Sequence, residues 1–94
     1  MTPQTKKDRT LIICNERGLH ARAAAKFVKL AGEFEAVLTV EKDGQSVDGR
    51  SIMGLMMLAA GIGTTIHVAG KGTQASAALD AVEALIADKF GEDC

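Results

Sequence analysis

Apolar residues fall along the chain in short runs whose spacing switches between two and about 3.6 residues. Residues 9–14, "RTLIIC", are β-branched and apolar and read as a strand, closed by the turn-like "NERG". From His20 to about Gly32, Ala24, Phe27, Val28 and Ala31 recur at helical spacing, with Arg22, Lys26 and Lys29 elsewhere on the cylinder and Gly32 as C-cap. "FEAVLTVEKDGQSVDG" places Phe34, Ala36, Leu38 and Val40 on one face of a strand; Asp43-Gly44 is a hairpin signal, and "QSVD" returns as a short strand. Ser51 caps a second helix, "SIMGLMMLAAG", stopped by Gly61 and Gly63. "TTIHVAG" is a further strand and "GKG" a loop. Thr73 caps a last helix, whose apolar stripe runs through Ala75, Ala78, Leu79, Val82, Leu85, Ile86 and Phe90.

The resulting order is β-α-β-β-α-β-α. Each helix has one strongly apolar face and the strands alternate, which predicts an α/β (α+β) fold of open-faced sandwich type. Four antiparallel strands form one sheet, with three helices on one face and water on the other. Residues 1–8 are expected to be a flexible polar arm and residues 9–94 a single domain. A chain of 94 residues has room for one core and buries about 60–70% of its unfolded surface, enough to stand without staples.

Composition removes several functions. A net charge of −1 leaves no electrostatic footprint for nucleic acid, and three Phe with no Tyr or Trp leave no stacking platform. Cys14 and Cys94 form no CxxC or metal spacing. Cys14, ending "LIIC", is expected to be a small buried hydrophobe and Cys94, the last residue, to fray. No disulfide is implied, which suits a reducing compartment. The start "MTPQTKKDRT" is polar and the apolar run after it is too short for a signal-peptide core or a membrane span, so a cytoplasmic protein is expected. The glycines of "DGQ", "GIG" and "GKG" are isolated turn glycines, with no phosphate-binding loop. His67 reads as a structural or surface histidine, and Asp43, Asp48, Glu83 and Asp88 pair at no catalytic spacing. No cofactor is expected.

The junction "RGLHARAAAKFV" is different. Helix starts ordinarily take Ser, Thr, Asp or Asn; here they are replaced by His20, with Arg22 two residues on. Gly18 lets the backbone turn at positive φ and Leu19 can pin the turn in the core. The amides of the first helical turn then point outward unpaired near the ring, and the aligned peptide dipoles favour an anion there. Arg22 can add a planar fork of donors. Because imidazole titrates near neutrality, it can offer a lone pair to a phosphoryl group and give that group up again. The stretch holds no carboxylate, serine nucleophile or second histidine, so a self-sufficient hydrolytic site is not expected. The bland reading stays open at this point: a histidine at a helix start is often a partly exposed polar residue whose neighbouring arginine faces water.

The second helix is too apolar for one buried stripe. Leu55, Leu58 and Ala59 cluster toward the sheet, while Ile52, Met53 and Met56 cluster on a side that the same sheet cannot cover. Such a methionine-containing patch suits an adaptable protein contact; the alternative is cover by a neighbouring helix. Ser51 has a sufficient role as N-cap.

"GLHARAAAKFVKLA" resembles the histidine signature of the HPr family, phosphocarriers of the phosphoenolpyruvate-dependent phosphotransferase system, and "RSIMGLMMLAAGIGTTI" resembles that family's seryl-site region. The likeness runs over residues 9–90. It implies a carrier, not an enzyme in its own right, that takes a phosphoryl group on His20 Nδ1 from enzyme I and passes it to an enzyme IIA, with Arg22 beside the phosphate. It implies docking of those partners on the first two helices, through Ala21, Lys29, Ile52, Met53 and Met56, and makes Ser51 the target of HPr kinase/phosphorylase. A monomer that binds no nucleic acid and enters no membrane is expected. Two departures stand out: Ala23 where the family commonly has Pro, and Arg17 where it often has Asn. Sugar transport and a nitrogen-related regulatory branch both fit. A ferredoxin-like regulatory or assembly module, with His20 incidental, is the rival from another class.

Overall fold

A computed structural model describes residues 6–94. The alternating segments form one antiparallel sheet of four strands in the order β1-β4-β2-β3, with β1 at Lys6–Ile12, β2 at Val37–Lys42, β3 at Gln45–Asp48 and β4 at Thr65–Lys71. Three helices, α1 (Ala21–Ala31), α2 (Ile52–Met57) and α3 (Ala75–Ala87), cover one face. Register makes that face continuous: Leu11 pairs with Ile66, Val68 with Val40, and Val40 with Val47. Leu38, Val40, Ile66 and Val68 are buried under Phe27, Leu55, Leu79 and Val82 from the helices, while Thr10, Thr39 and Thr65 face water. The open-faced α+β sandwich expected from the alternation is the fold observed.

Three boundaries differ from the expected ones. Residues 6–8 are not arm: Lys6, Lys7 and Asp8 continue β1 and pair with Lys71, Gly70 and Ala69. Side-chain polarity was a poor guide because Lys7 and Asp8 are exposed and the pairing uses only backbone groups. Residues 1–5 of the expected arm lie outside the described residues. The second helix ends at Met57, not near Gly61. Leu58 and Ala60 are both buried, and the chain turns between them through Ala59, which is exposed, at φ 51, instead of facing the sheet. At α3 the N-cap is Gln74, not Thr73. Thr73 instead donates from Oγ1 to Glu35 Oε1 at 3.4 Å, and the Glu35 N–H donates to Gln74 Oε1 at 2.7 Å. Phe34 and Ala36 pack half-buried on the core but precede β2. None of the described helices is long and apolar enough to cross a membrane.

Candidate functional site

The turn between β1 and α1 is fixed by backbone. Gly18 sits at φ +67, and a Cβ there would stand 2.4 Å from the Ala60 carbonyl oxygen. The Leu19 N–H donates to that same oxygen at 2.9 Å, and the Leu19 side chain is buried. The segment after α2 therefore clamps the residue preceding His20, as the left-handed glycine and core leucine of the sequence anticipated.

His20 is the N-cap of α1. Its carbonyl accepts the first intrahelical bond from Ala24 N–H at 2.8 Å, and its side chain makes no cap bond. The amides of Ala21, Arg22 and Ala23 thus have no partner within the helix, and no acidic residue lies in the first turn. This is an anion-favouring helix end. The imidazole is 23% exposed, and its Nε2 bonds the Glu92 carboxylate.

Glu92 and its support were missed by sequence reasoning. Asn15, read only as part of a turn, is fully buried; its Nδ2 donates to Gly18 O at 2.8 Å and to Glu92 Oε1 at 3.0 Å. Asn15 Oδ1 has no hydrogen-bond partner among the described residues. Glu92 arrives because the chain reverses after α3 through Lys89 and Phe90, at φ 57 and 55. Phe90 is wholly buried, and Lys26 Nζ donates to its carbonyl at 2.6 Å. Cys94 does not fray: the Glu16 N–H donates to its carbonyl at 2.8 Å. Cys14 is part-buried, with its thiol donating to Ile86 O at 3.0 Å, and both cysteines are free. The Asn15 amide holds the Glu92 carboxyl below the usual carboxylate range, helped by the His20 ring and the charge on Arg17. Only the folded chain shows this, because 72 residues separate His20 from Glu92.

Arg22 is exposed and makes no hydrogen bond or ion pair among the described residues. With Arg17, Lys26 and Glu92 it lines a cleft of about 410 Å³. His20, Met56 and Ala60 line a neighbouring cleft of about 280 Å³ that meets the first at Arg17. His20 and Arg22 therefore look onto adjoining depressions, and no bond joins them.

Ser51 caps α2 as expected, its Oγ accepting from Gly54 N–H at 2.9 Å. Leu55 and Leu58 are buried, whereas Ile52, Met53 and Met56 are exposed, Met53 by 73%. Met57 and Ile62, which sequence reasoning did not single out, are exposed as well. Met56 also lines the His20 cleft. Ala21 and Lys29 are exposed on α1. His67 lies on the open sheet face, its Nδ1 3.2 Å from Thr10 Oγ1.

Residues 7–88 match the family model described as "PTS HPr component phosphorylation site". The chain is 49% identical over 88 residues to the phosphocarrier protein NPr of Shewanella violacea, covering 94% of this chain and 97% of that one. It is 49% identical over 87 residues to the phosphocarrier protein HPr of Cupriavidus necator, covering 93% and 96%. Among solved structures, HPr from Thermoanaerobacter tengcongensis superposes with a TM-score of 0.89 at 41% identity, covering 94% of this chain and 99% of that one. With the open-faced fold and the histidine at an uncapped helix start already in place, the chain belongs to the HPr/NPr family of phosphocarriers of the phosphotransferase system.

Proposed function

We propose that His20 accepts a phosphoryl group on Nδ1 from phosphorylated enzyme I and hands it to an enzyme IIA protein. The observation that carries this reading is the position of the ring at the N-cap of α1. Its Nε2 is engaged by a carboxylate, and its side chain makes no cap bond to the first-turn amides of the helix. In acceptance, the Nδ1 lone pair forms the bond to phosphorus while the bond from phosphorus to the donor's leaving group breaks; the proton on Nε2 stays on the ring. Delivery is the reverse. The phosphoryl oxygens gain the first-turn amides of α1 and the fork of Arg22, which has no partner among the described residues. Ala23 in place of the family's Pro leaves the helix start at Ala21.

The partners dock on the exposed apolar patch of Ile52, Met53 and Met56, with Ala21 and Lys29 at its border on α1. The enzymes at either end supply the catalytic apparatus, and the chain is their substrate. It acts as a monomer in the cytoplasm, the compartment that suits two free thiols. Phosphorylation of Ser51 by HPr kinase/phosphorylase places about two negative charges in the middle of that patch and hinders docking. Ser51→Asp then slows phosphoryl acceptance from enzyme I, and an unaltered rate removes this regulation. The carrier assignment is tested by incubation with phosphoenolpyruvate and enzyme I. An acid-labile, base-stable phosphate forms on the wild-type chain and not on His20→Ala; its absence from the first or its presence on the second contradicts the assignment.

A further inference from the structure

We infer that Glu92 is a positioning residue for phosphoryl transfer: anchored by Asn15, it accepts the Nε2 proton of His20 and so presents the Nδ1 lone pair to the incoming phosphorus. This rests on the reading of His20 as the acceptor and adds the group that decides which ring nitrogen is free.

The geometry commits both carboxylate oxygens. Oε1 takes the Nδ2–H of the buried Asn15 and Oε2 faces Nε2 of the ring. A carboxylate accepts only, and a neutral imidazole carries one proton. The proton shared with Glu92 is therefore the Nε2 proton, and the lone pair falls on Nδ1. Asn15 cannot drift, because its Nδ2 also bonds Gly18 O within the turn that carries His20. The carboxylate and the ring are thus referenced to the same short stretch of backbone. The path of the chain after α3 is built to bring Glu92 there. Two non-glycine residues in left-handed conformation, Lys89 and Phe90, reverse the chain. Burial of Phe90 and the bond from Lys26 to its carbonyl fix the reversal. The bond from Glu16 N–H to the Cys94 carbonyl ties down the far side. Glu92 is held on both flanks, and its side chain is only 14% exposed.

The same contact follows the charge through the reaction. When Nδ1 bonds to phosphorus and Nε2 keeps its proton, the ring becomes cationic; the carboxylate on the opposite edge offsets that charge. When the phosphoryl group leaves with its bonding pair taken back by Nδ1, the ring is neutral again and the contact remains. The negative charge of Glu92 faces Arg17, Arg22 and Lys26 across the shared cleft, which limits its repulsion of the phosphoryl group.

The test compares full-length wild type, Glu92→Ala and Glu92→Asp. The ring-nitrogen resonances of His20 in the unphosphorylated proteins report the tautomer, and steady-state acceptance from enzyme I reports kcat and KM. In Glu92→Ala the resonances move toward a mixture of tautomers. The kcat falls roughly tenfold, the scale seen when a group orienting a functional histidine is removed, while KM for enzyme I is unchanged because the docking patch is untouched. Glu92→Asp, which keeps the charge, recovers part of both. Either resonances or kcat left at the wild-type value in Glu92→Ala overturns the inference while the carrier reading stands. Phosphate mapped to a residue other than His20 in the wild type overturns both.

Discussion

Replacing Gly18 with alanine isolates what holds the histidine turn in place. At φ +67 an L side chain carries left-handed strain of about 1–2 kcal/mol. The added Cβ also meets backbone, the Ala60 oxygen at 2.4 Å and the Gly61 Cα at 2.8 Å. Neither atom can swing aside as a side chain can. Relief requires moving the segment after α2 away from the turn, which loosens the Leu19 N–H to Ala60 bond; overpacking of this kind costs about 1–3 kcal/mol. The sum is about 2–5 kcal/mol, a large part of the roughly 5–15 kcal/mol that holds a typical domain folded. Gly44→Ala is the control, since Gly44 also has positive φ, +83, but nothing within 4 Å of the added Cβ. It should lose only the conformational part, about 1–2 kcal/mol. Urea unfolding with unchanged slope reads both: at roughly 1–3 kcal/mol per M, Gly18→Ala lowers the midpoint by about 0.7–5 M and Gly44→Ala by clearly less. Equal losses in the two variants would refute the clamp.

Three further outcomes follow from the same geometry. Met53→Glu puts a charge on the most exposed methionine of the α2 patch. It raises KM for enzyme I roughly tenfold or more, about 1.4 kcal/mol of lost binding, and leaves the unfolding midpoint within about 0.5 kcal/mol of wild type; unchanged KM takes that face out of the interface. Ala59→Gly relieves an exposed residue held at φ 51 and stabilises the fold by about 0.5–1 kcal/mol after the extra unfolded-state entropy of glycine; destabilisation on urea unfolding contradicts this. Glu92 titrates below its ordinary value of 4.5, so its stabilising contribution is fully present above that pH and is lost as the pH falls through the lowered value. Wild type and Glu92→Ala therefore converge in stability at the acid end of a pH series, and a gap that persists there argues against the contact.

What could be read from the chain beforehand was what local periodicity encodes. The Ala24–Phe27–Val28–Ala31 spacing gave α1, the Asp43-Gly44 pair gave the β2–β3 hairpin, and the alternation about Leu38 and Val40 gave the buried face of β2. Ends were less visible. Strand pairing at Lys6–Asp8 depends on the backbone of β4, not on those polar side chains, and α2 stops early because Leu58 and Ala60 must both reach the core. The site divided in the same way. His20, Arg22 and Gly18 lie in one short motif, and the exposed side of α2 follows from its excess of apolar residues. Glu92 and Asn15 have no such signature. A glutamate beyond the last helix and an asparagine in a turn become a carboxylate–histidine contact only because Phe90 is drawn into the core and turns the chain back.

The most direct check labels the imidazole nitrogens with ¹⁵N, phosphorylates the chain with enzyme I and phosphoenolpyruvate, and asks which nitrogen is coupled to ³¹P. A single phosphorus resonance coupled to Nδ1 of His20 is the result predicted. Coupling to Nε2, the nitrogen that faces Glu92, or a phosphate on any other side chain would contradict it.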